Sequence, residues 1–404
     1  MRKLFVLGLV VIMLATFTFG VDFNFSGEYR ARMSHYDTFG NFTETGMDNI
    51  GLIDTRMRLF SEAKFSDNLK AVLGFEVGDF VWGDNTEGYA NHDFKNVETK
   101  QAYLEFKPDF MEKLKFRAGL QYWADQFGSS LYDEELAGLM IIPEMKGFNA
   151  QGGLFILEDE EVDGVDDANT LGILDLSKSM DNLDVKGSFY YHDVRNKYSM
   201  MYFGAGADYT MNNMGFGGHF LYNTGSDDDA YGEKKYNGFF GYGYGEYTMD
   251  DFNLKVHFGY TPDKVDGNDY TTFVGIAPDS WIYGLEYFFA GSTYDSNAGS
   301  WGYSGVNTWG DGDIPVNATY NGGHMTIAAN LSYKFAFVNF GMMQATNSDL
   351  EEKAIGNELD IGIETELTEG LSFRAVYAIF MPGKVFGEDL ENATELTTKL
   401  QYNF

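Results

Sequence analysis

The chain has 404 residues, no Cys, and 61 Asp and Glu against 28 Lys and Arg, for a formal net charge of −33. The absence of Cys removes disulfide scaffolds and thiolate chemistry, and a field this acidic repels nucleic acid, so both classes are excluded. Aromatic residues make up 17% and Gly numbers 48 against 6 Pro, a composition that suits many short strands joined by turns.

Residues 1–20 read as a cleaved secretory signal peptide: Arg2 and Lys3 precede an apolar run from Leu4 to Phe19, and Thr18 and Gly20 supply small residues at the cleavage positions. The mature chain then begins at Val21. No later apolar stretch approaches the roughly 20 residues that a membrane-spanning helix needs. No linker or composition break divides residues 21–404, which are expected to form one domain.

The strongest signal is alternation with period two, because successive side chains of a strand point to opposite faces. From Asp22 to Tyr36, the residues Phe23, Phe25, Gly27, Tyr29, Ala31 and Met33 share one face, with Asn24, Ser26, Glu28, Arg30, Arg32 and Ser34 on the other. The pattern returns with Ile53, Thr55, Met57 and Leu59 against Asp54, Arg56 and Arg58, and then with Leu69, Ala71, Leu73, Phe75 and Val77. Further on, Lys115, Arg117 and Gln121 alternate with Leu114, Phe116, Ala118 and Leu120, and Ser372 and Arg374 with Leu371, Phe373, Ala375 and Tyr377.

Tight breaks at 66–67, 211–213, 250–251 and 368–370 alternate with long acidic or Gly-rich segments near 37–48, 83–94, 224–235 and 291–319. Short turns on one side and long loops on the other are the outer-membrane barrel arrangement. The expected fold is therefore all-β: an antiparallel transmembrane β-barrel of about 20 strands. Counts of 16 or 18 follow if segments such as Glu134–Ile142 or Tyr270–Ala277 fold as loops.

The last strand places Leu396, Thr398, Leu400, Tyr402 and Phe404 on one face, and the chain stops at Phe404. This ending resembles that of bacterial outer-membrane porins, and the alternating pattern resembles them throughout residues 21–404. The resemblance implies location in the cell outer membrane and contact with its lipid. It also implies that the barrel-insertion machinery reads Tyr402 and Phe404, that the protein is a homotrimer, and that ions and small hydrophilic solutes diffuse passively through a water-filled channel.

With the apolar faces toward lipid, Arg30, Arg32, Arg56 and Arg58 line one lumen wall beside Glu28 and Asp54, extended by Arg117 and, around the closure, Arg374. Such a ladder either lines the pore or is a set of ordinary lumen charges paired for barrel stability. Asp133, Glu134 and Glu135 are candidates for a constriction loop, since porins commonly fold one loop inward.

Gly204, Gly206, Gly215, Gly217, Gly241, Gly243 and Gly245 are expected to face the lumen, with Phe203, Phe216, Phe240, Tyr242 and Tyr244 outward. Aromatic residues form interfacial girdles, or a sugar-stacking track built from Tyr122, Trp123, Trp301, Tyr303 and Trp309, which would make the channel carbohydrate-selective. A structural or adhesive barrel without an open pore is the remaining alternative.

An enzyme is not expected. The six His residues form no HExxH motif, and Gly302-Tyr303-Ser304-Gly305 lacks the spacing of a nucleophile elbow. No cofactor and no metal site are expected either. The acidic run from Glu158 to Asp167 lacks the closing Glu of a calcium loop, having Thr170 there, and could associate only diffusely with Ca2+ or Mg2+.

Overall fold

A chain with one apolar and one polar face per strand satisfies its backbone in lipid only if the sheet closes on itself. The computed structural model describes residues 21–37, 50–82, 97–158, 161–162, 165–166, 169–195, 198–229, 232–263, 265–266, 268–276, 282–286, 293–295, 300–302, 323–386 and 391–404. The chain starts with β1 (Asp22–Asp37), β2 (Ile50–Ser66), β3 (Leu69–Val81), β4 (Val97–Phe106), β5 (Leu114–Ala124), β6 (Asp133–Met145) and β7 (Phe148–Glu158). A small hairpin, β8 (Glu161–Val162) and β9 (Val165–Asp166), leads to β10 (Asn169–Met180), β11 (Leu183–Val194), β12 (Tyr198–Met211), β13 (Met214–Asp229), β14 (Gly232–Met249) and β15 (Phe252–Tyr260). Four short pieces follow: β16 (Val265–Asp266), β17 (Asp269–Thr272), β18 (Thr293–Asp295) and β19 (Ser300–Gly302). The wall resumes with β20 (His324–Tyr333), β21 (Ala336–Ala345), β22 (Ala354–Thr368), β23 (Leu371–Pro382) and β24 (Ala393–Asn403).

Eighteen of these strands make one closed antiparallel barrel, β1–β7, β10–β15 and β20–β24, sealed by the pairing of β1 with β24 from Glu28↔Asn403 to Asp37↔Thr394. The strand number is thus eighteen rather than twenty. Glu134–Ile142 lies in a wall strand, whereas of the described residues in Tyr270–Ala277 only Tyr270–Thr272 are paired, in the short strand β17. After β15 the chain hairpins, and β17 runs parallel to β14 at Lys235↔Asp269 and Tyr236↔Tyr270. It then leaves the wall.

One rim has tight turns whose sequences explain them. A two-residue hairpin needs a residue with positive φ, and Asn212 (φ 51°), Asp250 (φ 49°), Lys334 (φ 54°), Gly147 (φ 76°) and Gly370 (φ 76°) supply it. The opposite rim carries the long connections. One expected loop, 224–235, is instead mostly strand, because β13 and β14 stay paired up to Asp229↔Gly232. The other expected loops lie wholly or mainly outside the described residues, as does the signal segment 1–20, and of the acidic run only the backbone at Glu158 and in β8 and β9 is described.

Phe25, Tyr29, Met33, Leu154, Phe203 and Phe220 stand exposed on the outer face, an apolar surface suited to lipid. Among the described residues no helix is long and apolar enough to cross a membrane, so crossing falls to the strands. The face assignment holds for Gly204, Gly206, Gly215 and Gly217, whose missing Cβ atoms would meet lumen side chains. It is reversed on β14. Phe240, Tyr242 and Tyr244 point inward, and a Cβ on Gly241 would meet open space.

Candidate pore constriction

Two segments leave the wall and cross the lumen. The first is the top of the β5–β6 hairpin. Pairing of β4 with β5 stops at Ala102↔Leu120, whereas β5 and β6 stay paired to Ala124↔Asp133, so above that row the hairpin parts from β4.

Its tip is organised by Asp125, whose Oδ1 accepts from the Phe127 N–H (2.6 Å) and whose Oδ2 accepts from the N–H groups of Leu131 (2.6 Å) and Tyr132 (2.9 Å). Burial pushes the Asp125 carboxyl up to about 6 despite those three donors. Gly128 (φ 72°) and Ser129 (φ 59°) make the reversal at the tip. Gln126 reaches β11, donating to the Gly187 carbonyl (2.9 Å) and the Ser188 hydroxyl (2.7 Å). The Phe127 ring fills the hollow left by Gly204 and lies 5.5 Å from the His219 ring.

The second segment follows β17. The Ile276 N–H donates to the Leu131 carbonyl (2.8 Å), joining it to the first. Farther along, Tyr283 sits over Gly259, Leu285 over Gly341, and both sites would be blocked by a Cβ. Asn330 Nδ2 donates to the Tyr283 carbonyl (3.0 Å) and Asn339 Nδ2 to the Gly284 carbonyl (2.9 Å). His257 bridges to Asn330 Oδ1 (2.6 Å) and meets the Tyr242 hydroxyl (2.7 Å). Beyond Leu285, Glu286 sits on the Arg374 guanidinium.

Facing these segments is the basic wall. Arg30 is directly opposite Arg56, a like-charge pair that costs energy unless compensated. Compensation comes from Asp54, fully buried and 3.7 Å from Arg30 and 3.3 Å from Arg32, and from Glu28, 2.9 Å from Arg56. Glu76 takes Arg58 (2.5 Å), and Glu105 takes Arg117 (2.9 Å) and Lys70 (3.5 Å). Each of the six arginines read from the sequence thus has a carboxylate partner.

Of the constriction candidates, Asp133 accepts from the Ser129 hydroxyl, and Glu135 lies 3.2 Å from Lys100 on β4, facing the basic wall. Glu134 opposes Trp123 in the β5–β6 ladder. All three are strand residues at the foot of the inward hairpin. The loop itself is 125–132.

Trp123 is only 5% exposed, packed against Tyr132 and Tyr190 with ring centroids 5.4 Å away in each case, so it fills core. Trp301, Tyr303 and Trp309 lie outside the described side chains. Among the described residues no group of three His, Cys, Asp or Glu could hold a metal ion.

No family model matches the sequence, and no curated protein matches it. Solved structures do match. Pseudomonas aeruginosa OccK9 (OpdG) aligns with TM-score 0.60 at 13% identity over 95% of this chain and 98% of its own. Pseudomonas aeruginosa OccK8 (OprE) gives 0.57 at 10% identity over 95% and 98%, and Acinetobacter baumannii OccAB1 gives 0.56 at 13% over 95% and 96%. The chain has the outer-membrane porin fold. In this barrel the wall is legible from periodicity, whereas Asp125, Glu286 and Lys399 are not: Asp125 accepts from backbone N–H groups, Glu286 meets an arginine far away in sequence, and Lys399 is set by the register of a neighbouring strand.

Proposed function

We propose that the chain is an outer-membrane porin: a constricted aqueous channel through which ions and small hydrophilic solutes diffuse passively. The observation that carries this reading is the meeting of two inward segments, joined at Ile276 and Leu131, across a lumen whose other side is a ladder of paired charges. Such an arrangement narrows the path to a place where charge and width can select, which is where selectivity is set.

In this reading residues 1–20 direct export and are removed. Tyr402 and Phe404 present the insertion signal, and three copies assemble in the membrane. A carbohydrate track gains no support from the described aromatic residues. Tyr202 and Phe240 are buried on the wall against Phe273 of the second inward segment, and Tyr283 of that segment is itself buried, so none of the four can stack on a passing sugar.

The test is single-channel recording of the refolded mature protein in a planar bilayer under a salt gradient. Discrete, long-lived steps with a defined reversal potential are expected. Silence from folded, inserted protein would assign the barrel to a structural role.

A further inference from the structure

Three cationic side chains occupy one register row across the seam of the barrel: Arg374 on β23 opposes Lys399 on β24, which opposes Arg32 on β1. The row continues to Asp54 on β2, whose carboxylate holds Arg32 and Arg30. Lys399, in the middle, has no carboxylate within ion-pairing distance among the described residues. The far end of the row is compensated from outside the wall, by Glu286 on the second inward segment.

The wall offers Arg374 a poorer partner. Glu364, directly opposite on β22, is 3.7 Å away and its side chain is 60% exposed, whereas that of Glu286 is 11% exposed. The other carboxylates nearby are engaged or sealed. Glu358 and Asp360 are fully buried, and Glu395 accepts from the Thr397 hydroxyl (2.5 Å).

Glu286 is also held rather than draped. Its segment is fixed through the Tyr283 and Gly284 carbonyls by Asn330 and Asn339, and by the seats that Gly259 and Gly341 leave for Tyr283 and Leu285.

We infer that Glu286 is the selectivity-determining carboxylate of the constriction, a counter-charge delivered by the inward segment to a cationic row whose wall partners are Asp54 at one end and the exposed Glu364 at the other. This rests on the channel reading above. Neutralising Glu286 leaves Arg374, Lys399 and Arg32 with Asp54 at one end and only the solvent-exposed Glu364 at the other, and the local potential turns toward anions.

The experiment is the reversal potential in a KCl gradient for the wild-type barrel and for Glu286→Gln, Glu286→Asp, Glu364→Gln, Arg374→Gln and the Glu286→Gln/Arg374→Gln pair. Glu286→Gln is expected to lower the cation-to-anion permeability ratio by about threefold or more. Glu286→Asp keeps the ratio near wild type, and Glu364→Gln moves it less. Arg374→Gln moves it the other way, and the double variant returns toward wild type.

A wild-type channel whose reversal potential is the same in Glu286→Gln overturns the inference while leaving the channel reading intact. A shift as large in Glu364→Gln overturns it as well. A wild-type barrel that does not conduct overturns the channel reading and this inference together.

Discussion

The ring of Phe404 lies over Gly27 at the seam where the last strand meets the first. Two backbone hydrogen bonds fix the contact: the Gly27 N–H donates to the Phe404 carbonyl (2.9 Å) and the Phe404 N–H to the Gly27 carbonyl (3.1 Å). A Cβ on Gly27 would sit 2.7 Å from Phe404 Cζ and would also strike the Arg58 carbonyl. The terminal aromatic is therefore a part of the closed wall, beyond any part it plays as a signal.

These two roles separate experimentally. Deleting Phe404 is expected to impair assembly both in cells and in purified refolding, because the seam loses two hydrogen bonds and a covering ring. Gly27→Val, which leaves the terminus intact, is expected to slow closure in refolding through overpacking, at a cost of about 1–3 kcal/mol. Heat-modifiable gel mobility reads both. Normal refolding of the Phe404 deletion with failed insertion in cells would leave only the signalling role.

The arginine ladder makes a prediction with a definite sign. Arg56 and Arg58 share Glu76, and Arg56 also holds Glu28 (2.9 Å). Replacing both arginines with Ser frees two carboxylates toward the lumen, so the reversal potential should move toward cation preference. An unchanged reversal potential would place this part of the ladder away from the narrowest point and leave it a role in wall stability.

Periodicity disclosed the wall because lipid and water impose opposite demands on neighbouring residues, as in Phe25 against Arg30 or Leu73 against Glu76. On β14 those demands blur. Tyr is amphipathic and Gly is silent, so in the run Phe240 to Gly245 the alternation is plain but its direction is not, and the sequence pattern alone points the aromatic set to the wrong side. The inward segments were hidden for another reason. Asp125 bonds only to backbone N–H groups, which no side-chain pattern encodes, and Glu286 meets an arginine 88 positions on. Seats such as Gly259 and Gly341 look like any other strand glycine until the ring or isobutyl group that needs them is in place.

Asp125 gives the first inward segment a pH dependence. Its carboxyl is raised from 3.8 to about 6, so between those values the folded loop binds more protons than the unfolded chain. Stability from this group therefore falls as pH rises through that window, and the cost of ionisation is complete above it. Asp125→Asn removes the titration but also turns an amide N–H toward backbone donors, costing about 1–3 kcal/mol. Urea midpoints are expected to be lower in the variant throughout and flatter between pH 4 and 6 than in wild type. A variant that keeps the wild-type slope would assign that slope to other carboxyls.

The second segment can be displaced without touching a charged group. Tyr283 occupies the space above Gly259 and is fully buried, with its carbonyl held by Asn330 at 3.0 Å. Gly259→Val puts a branched side chain where the phenol lies. The wall strand β15 is held on both edges by β14 and β20, so the wall is the stiffer partner and the inward segment should yield. Glu286 is then carried away from Arg374. Single-channel conductance is expected to rise, and cation preference to fall in the same direction as with Glu286→Gln, while gel mobility still reports a closed barrel. A conductance equal to wild type would mean that the segment between Tyr283 and Glu286 lies beside the ion path and does not limit it.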